Sequence, residues 1–159
     1  MRRKDREITD IETIRAILDK AKVLHLAMID GARPYVVPMN YGYALADGRL
    51  TLYLHSAKEG RKLDVLRKND RVAFVLETDV SPISGGEIPC KYGASYASVM
   101  GEGKAVFLTD PAEKAAGLQI LMRAQTGRDF IITEVMTESV TVLRVDVETY
   151  AAKSRPLTH

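Results

Sequence analysis

The sequence predicts a single domain, residues 1–159, of mostly β (α+β) class: a six-stranded antiparallel β-barrel with peripheral helices. Two observations lead there. The predicted elements run α-β-β-β-α-β-β-α-β, without the regular βαβ alternation that a doubly wound parallel sheet needs. The first three strands are joined by Asp-Gly turns, at Asp30-Gly31 and Asp47-Gly48, which favour tight antiparallel hairpins. Six strands of this kind close most simply into a barrel.

The first helix is expected to open at Thr9-Asp10-Ile11-Glu12, with Thr9 as cap and Ile11, Ile14, Ile17, Leu18 and Ala21 as its apolar stripe. Val23–Ile29 and Pro34–Pro38 then form a hairpin. Arg49–His55 follows, with Leu50, Leu52 and Leu54 on one face and Thr51, Tyr53 and His55 on the other. Pro38 lacks a ladder donor, which puts it at an edge, a bulge or a place where the sheet opens. A second helix is read at Gly60–Lys68 and a fourth strand at Arg71–Glu77. Residues 78–94, with Pro82, Gly85, Gly86, Pro89 and Gly93, read as a long loop. A fifth strand covers about Ser95–Phe107, and Gly101 and Gly103 within it mark a bulge or a close backbone approach. Asp110-Pro111-Ala112-Glu113 opens a third helix that Gly127 ends, and Val140–Val147 is the last strand.

The composition narrows the function classes. Lys+Arg 23 against Asp+Glu 21 leaves a formal net charge of +2, too little for phosphate-backbone attraction to dominate, so no nucleic acid is expected. No apolar run approaches the roughly 20 residues that span a bilayer, and no signal-peptide h-region follows the charged start, so no membrane is expected either. One cysteine, Cys90, allows no internal disulfide and suits a reducing, cytoplasmic setting. The mixed-sign cluster Arg2-Arg3-Lys4-Asp5-Arg6 reads as a solvated leader. Trp is absent and Tyr (7) and Phe (3) are few, so a flat ligand would rest on backbone and aliphatic groups.

The strongest chemical signal is Leu54–Asp64, a strand end passing through small residues into a helix start. Free N–H groups around Ser56–Arg61, the Ser56 hydroxyl and the cations Arg61 and Lys62 can converge on one phosphate. The other reading is an ordinary capped helix with a solvated basic first turn. Cations at a helix N-terminus oppose the helix dipole, which favours the anion site. Other chemistry finds little support. There is no G-x-x-x-x-G-K-[ST] loop and no G-x-S-x-G elbow, and Val106 stands where a dinucleotide fingerprint beginning at Gly101 needs its third glycine. His25, His55 and His159 with one cysteine make no zinc pattern, so no metal is expected. Cys90 reads as a small buried or loop thiol, and His25 as a half-exposed strand residue.

Four stretches in order resemble the pyridoxamine phosphate oxidase-related flavoproteins of the nitroimidazole-resistance (Nim) type. They are Met1–Ile8, Pro34–Tyr43, Leu54–Asp64 and Ser98–Gly103. The resemblance runs to about Tyr150. It implies a split β-barrel homodimer that binds FMN at the subunit interface. The phosphate would meet His55, Ser56 and Lys62, with Arg61 as a helper. The isoalloxazine would lie along Val37, Pro38, Met39 and Asn40. Ser98, Val99 and the partner's Arg123 are weaker cofactor contacts. The tail Lys153–His159 does not match the C-terminal Arg motif of pyridoxamine phosphate oxidases proper, so pyridoxal phosphate synthesis is not implied. The implied function is an FMN-dependent oxidoreductase acting on nitroimidazoles or other small oxidised molecules, with the catalytic residue unassigned. The alternatives are a non-catalytic flavin- or haem-binding module, with His55 as haem ligand, and a protein using an F420-type deazaflavin.

Overall fold

A computed structural model describes residues 3–156. Its strands are β1 (Glu7–Ile8), β2 (Val23–Asp30), β3 (Arg33–Ala46), β4 (Arg49–Ser56), β5 (Arg71–Ile83), β6 (Gly93–Phe107) and β7 (Thr141–Arg155). The helices are α1 (Ile11–Lys20), α2 (Arg61–Lys68), α3 (Pro111–Thr126) and the short α4 (Glu134–Thr137), and 3-10 turns cover Lys4–Arg6 and Pro89–Lys91. All strand pairs are antiparallel. The order β7-β4-β3-β2-β5-β6 closes on itself through β6–β7, giving the six-stranded ring that was expected, and β1 adds to β7 outside it.

Alternation builds the core. Leu24, Leu26 and Met28 of β2, Leu50, Leu52 and Leu54 of β4, and Val72, Phe74 and Leu76 of β5 all point inward and are buried. Ile14, Ile17 and Leu18 of α1 join the same core. The Tyr41 hydroxyl, buried among them, donates to the Leu18 carbonyl at 2.7 Å. Burying one such leucine contributes roughly 1.5–3 kcal/mol.

Several sequence expectations need correction. Asp10, not Thr9, caps α1: its carboxylate accepts the Thr13 N–H at 2.8 Å. β3 does not stop at Pro38 but runs on to Ala46. The proline is accommodated because β3 pairs β2 over residues 33–40 and pairs β4 only from Tyr41 onward, so Pro38 has one strand neighbour and its missing donor faces the open side. β5 extends to Ile83 through a register shift between Thr78 and Ser81, so the expected loop 78–94 shrinks to the stretch between Ile83 and Gly93. β7 continues past Val147 to Arg155, its alanines and polar residues pairing with β1 and β6. The charged leader is not purely solvated: it makes a 3-10 turn and feeds β1, while Met1 and Arg2 lie outside the described residues. Cys90 is exposed, in the 3-10 turn 89–91.

Other expectations hold. Asp110 caps α3 by accepting the Glu113 N–H at 2.9 Å, and Gly127 ends it at φ 70°. A register shift falls between Glu102 and Gly103, and a side chain at Gly101 would lie 2.5 Å from the Thr149 carbonyl. Among the described residues no helix is long and apolar enough to cross a membrane.

Candidate functional site

The barrel wall splits where β3 and β4 part. Their ladder ends at Tyr41↔Leu54; beyond it β3 stays with β2, and β4 stays with β7 through Ser56↔Thr141. Asn40 and His55 are the first residues on the two lips. α2 leaves the β4 lip and crosses toward β5, sinking Leu63, Val65 and Leu66 into the core. Its first residue, Arg61, reaches the tip of the β2–β3 hairpin. There the guanidinium bonds Asp30 at 2.8–2.9 Å and stacks 4.3 Å from the Tyr35 ring centroid.

The β4–α2 turn has the character of an anion cradle. Gly60 is the N-cap with φ 140°, a conformation that favours glycine, and no side chain caps the helix. The N–H groups of Leu63 and Asp64 both turn back to the Gly60 carbonyl, at 2.9 and 3.3 Å. By position in the helix, those of Arg61 and Lys62 have no intrahelical acceptor. A Cβ at Gly60 would meet nothing within 4 Å, so the approach is open. Ser56 is buried at the strand end and Lys62 half-buried in the first turn. The cradle therefore offers donors and cations, the set a phosphate dianion requires.

The other expected site residues fall into three groups. Pro38 and Asn40 are exposed on the outer face of β3, while Met39 is buried and Val37 half-buried on the inner side. The Asn40 amide is already engaged, donating to the Lys22 carbonyl and to Gln125 Oε1, both at 3.1 Å. His55 and Ser56 leave β4 on opposite faces, so they flank the strand end instead of sharing a surface. Arg61 is held by Asp30 and Tyr35, as described above.

Ser98 and Val99 lie two strands further round the ring, on β6. The Val99 side chain is fully buried inside the barrel, which leaves it only backbone groups to offer a ligand. Ser98 faces the other way, and its hydroxyl is buried without a hydrogen-bond partner. Arg123 on α3 is exposed, 3.6 Å from Asp129, and lines a cleft with Arg15, Asp19 and Tyr43. Within one chain the structure does not bring Arg123 to the cradle. His159 lies outside the described residues.

Two features near the site escaped the sequence reading. Gly42 carries the crossing of α3 over β3: a Cβ there would sit 2.5 Å from the Leu121 Cα. The Tyr-Gly-Tyr interruption in a strand was the available signal. The second is a large uncovered outer wall. Val23 and Ile29 of β2, Val36 of β3 and Val75 of β5 are exposed on one continuous sheet face, Val36 to 53%. Ile131, just before α4, and Val135, within it, are exposed to 91% and 72%. Apolar area of this kind marks an interaction surface.

The family model for pyridoxamine 5'-phosphate oxidase matches residues 10–154. A structure from Bacteroides thetaiotaomicron VPI-5482, described as that of a candidate 5-nitroimidazole antibiotic resistance protein, is similar at 33% identity and TM-score 0.78, over 93% of this chain and 86% of that one. The FAD- and heme-binding protein of Mycobacterium smegmatis is similar at 16% identity and TM-score 0.78, over 97% of this chain and 76% of that one. An FAD-binding protein of Mesorhizobium loti is similar at 20% identity and TM-score 0.66, over 95% of this chain and 98% of that one. The last two share the fold. No protein of curated function matches the chain. The six-stranded split barrel, the family match over nearly the whole chain and the 33% identity to the Bacteroides protein agree, and this chain belongs to the pyridoxamine 5'-phosphate oxidase family.

Proposed function

We propose that the protein is an FMN-binding oxidoreductase of the nitroimidazole-resistance type, a homodimer that reduces nitroimidazoles or other small oxidised acceptors. The observation that carries this reading is the uncapped β4–α2 turn, which brings Ser56, the first-turn N–H groups and Lys62 into one short stretch of chain beside the split between β3 and β4. A second observation fits a larger cofactor surface: the Ser98 hydroxyl is buried on the outer sheet face with no partner. The 33% identity to the Bacteroides protein supports the acceptor class.

Bound FMN would supply hydride and electron transfer. The chain's own residues do the rest. Lys62 and Ser56 hold the phosphate, and the α2 dipole adds attraction for a dianion. Arg61, fixed by Asp30 and Tyr35, keeps the turn and the β2–β3 hairpin in register, a positioning role. Pro38, with the backbone of Val37, offers a bed for the ring system on the outer face of β3, and Asn40, tied to Gln125, anchors the end of that bed to α3. The exposed valines of β2, β3 and β5 are the surface a second copy would cover, excluding water from the ring.

Absorption spectroscopy tests the reading directly. The purified protein, titrated with FMN, should show paired near-UV and blue bands and release FMN on denaturation. Lys62→Ala should weaken FMN binding at least tenfold, since it removes a charge-assisted phosphate bond. Unchanged affinity in that variant would remove the phosphate assignment. An intense Soret band in place of the flavin bands would move the protein to haem binding, with His55 the residue to replace. Reduction by NADH or NADPH followed by reoxidation with a nitroimidazole separates an enzyme from a storage or sensing module.

A further inference from the structure

An ionisable pair interrupts the apolar outer wall. Cross-strand pairing sets Pro38 of β3, His25 of β2, Val75 of β5 and Met100 of β6 side by side, so their side chains form one row across that face. Val23 and Ala27 flank His25 along its own strand. His25 is therefore an imidazole in an apolar setting, and its Nδ1 lies 3.9 Å from Glu77 Oε1, with the two side chains 41% and 44% exposed.

A surface pair of this kind contributes little to stability. Nor does it suit a dry contact between two copies, because covering it would remove the water of both groups and return one long contact. Its place in the wall calls for a polar partner, and the row gives that partner's position. Pro38 is the side chain of the bed proposed for the ring system, and His25 is its cross-strand neighbour, with Cα atoms in such pairs about 4.5–5.5 Å apart. A group lying on Pro38 is within reach of the imidazole.

Other charged and polar groups on the face stand farther off or are engaged. On β5, Arg71 is two outward positions beyond Val75, and its Nε donates to Asn69 Oδ1 at 3.4 Å. On β6, Glu102 is cross-strand to Ala73 and 3.4 Å from Thr149 Oγ1, Lys104 is cross-strand to Arg71, and Ser98 is cross-strand to Glu77. On β3, the Asn40 amide is bound to the Lys22 carbonyl and to Gln125. With Nδ1 facing the Glu77 carboxylate, Nε2 is the nitrogen turned to a ligand, and it is a donor when the imidazole is charged.

We infer that His25 is the side chain of this wall that contacts the flavin ring system, its Nε2–H meeting a ring atom that gains negative charge on reduction, with Glu77 positioning the imidazole. The inference rests on the FMN reading given above. A cation placed there favours the reduced cofactor over the oxidised one and so raises its potential.

The test follows the full chain labelled with ¹³C-histidine through separate titrations with FMN and with sodium phosphate. The imidazole signals lost in His25→Gln should move saturably with FMN and stay in place with phosphate. At pH 6 the midpoint potential of bound FMN should fall in His25→Gln by about 30 mV, a tenfold loss of preference for the reduced form. His25→Lys, which restores a cation, should recover most of that fall. Flavin bands with unmoved His25 signals, movement with phosphate alone, or an unchanged potential in His25→Gln overturns the assignment and leaves the FMN reading in place. A wild-type protein that shows no bound-flavin bands removes the FMN reading and this inference with it.

Discussion

The two halves of the barrel's outer wall are made from similar strands and treated oppositely. Over β4 and the second half of β3, α3 lies so close that Gly42 faces the Leu121 backbone at 2.5 Å and Gly117 faces the Tyr53 ring at 2.9 Å, both measured to a notional Cβ. On the outer face of β2, β5 and the first half of β3, Val23, Ile29, Val36 and Val75 stand in the open. The covered half is finished within the chain and its residues serve stability. The bare half leaves its apolar residues in the open, where the proposed second copy would cover them. Glycine marks the first kind of wall and exposed β-branched residues the second.

Substitutions on the two walls should therefore read out differently. The largest effect belongs to Gly42→Val, which drives a branched side chain into the α3 backbone. It should lower stability by about 3 kcal/mol, read as a fall in urea midpoint, while an added side chain at Gly31, where a Cβ meets nothing within 4 Å, should meet no such clash.

Alkaline pH comes next. Burial pushes the Tyr41 phenol above its ordinary range. Stability linked to it is complete below the unfolded value near 10 and declines as pH rises toward the folded value. At pH 11 the loss is on the order of 1 kcal/mol. Tyr41→Phe should be weaker at neutral pH but flatten that alkaline decline in denaturation midpoints. Asp110→Ala, which uncaps α3, should cost about 1 kcal/mol by the same denaturation assay.

The smallest effect on the protomer is expected on the bare wall. Val36→Ser should change protomer stability by no more than about 0.5 kcal/mol. Light scattering should nonetheless show its mass distribution moving from dimer toward monomer. A wild-type protein that is monomeric at micromolar concentration would break the contrast between the walls.

Much of this was legible in advance, for identifiable reasons. The leucine alternation at 50–54 and the Asp-Gly turns fix strand identity locally, so the pairing of β2, β3 and β4 followed, whereas the pairings β2–β5, β4–β7 and β6–β7 did not. The strand-to-helix turn at the site now proposed for a phosphate was legible because Ser56, Gly60, Arg61 and Lys62 lie in one short stretch of chain. Strand ends were not, because Thr78–Ile83 and Glu148–Arg155 look polar or mixed and pair only when neighbouring strands are present. Pro38 was read correctly as a mark of opening but wrongly as a break, since one-sided pairing is a tertiary fact. The bond from Asn40 to Gln125 spans 85 residues, and no local pattern announces it.

The ring also has a direction in time. β7 pairs with β1, β4 and β6 and is the last of the ring strands to leave the ribosome. Until it emerges, β4 and β6 each lack a neighbour along one edge, and the interior leucines have a wall missing. A stalled or truncated nascent chain would thus expose two unpaired strand edges together, the species most prone to aggregate. Yield in the cell should depend on how quickly the final segment is completed.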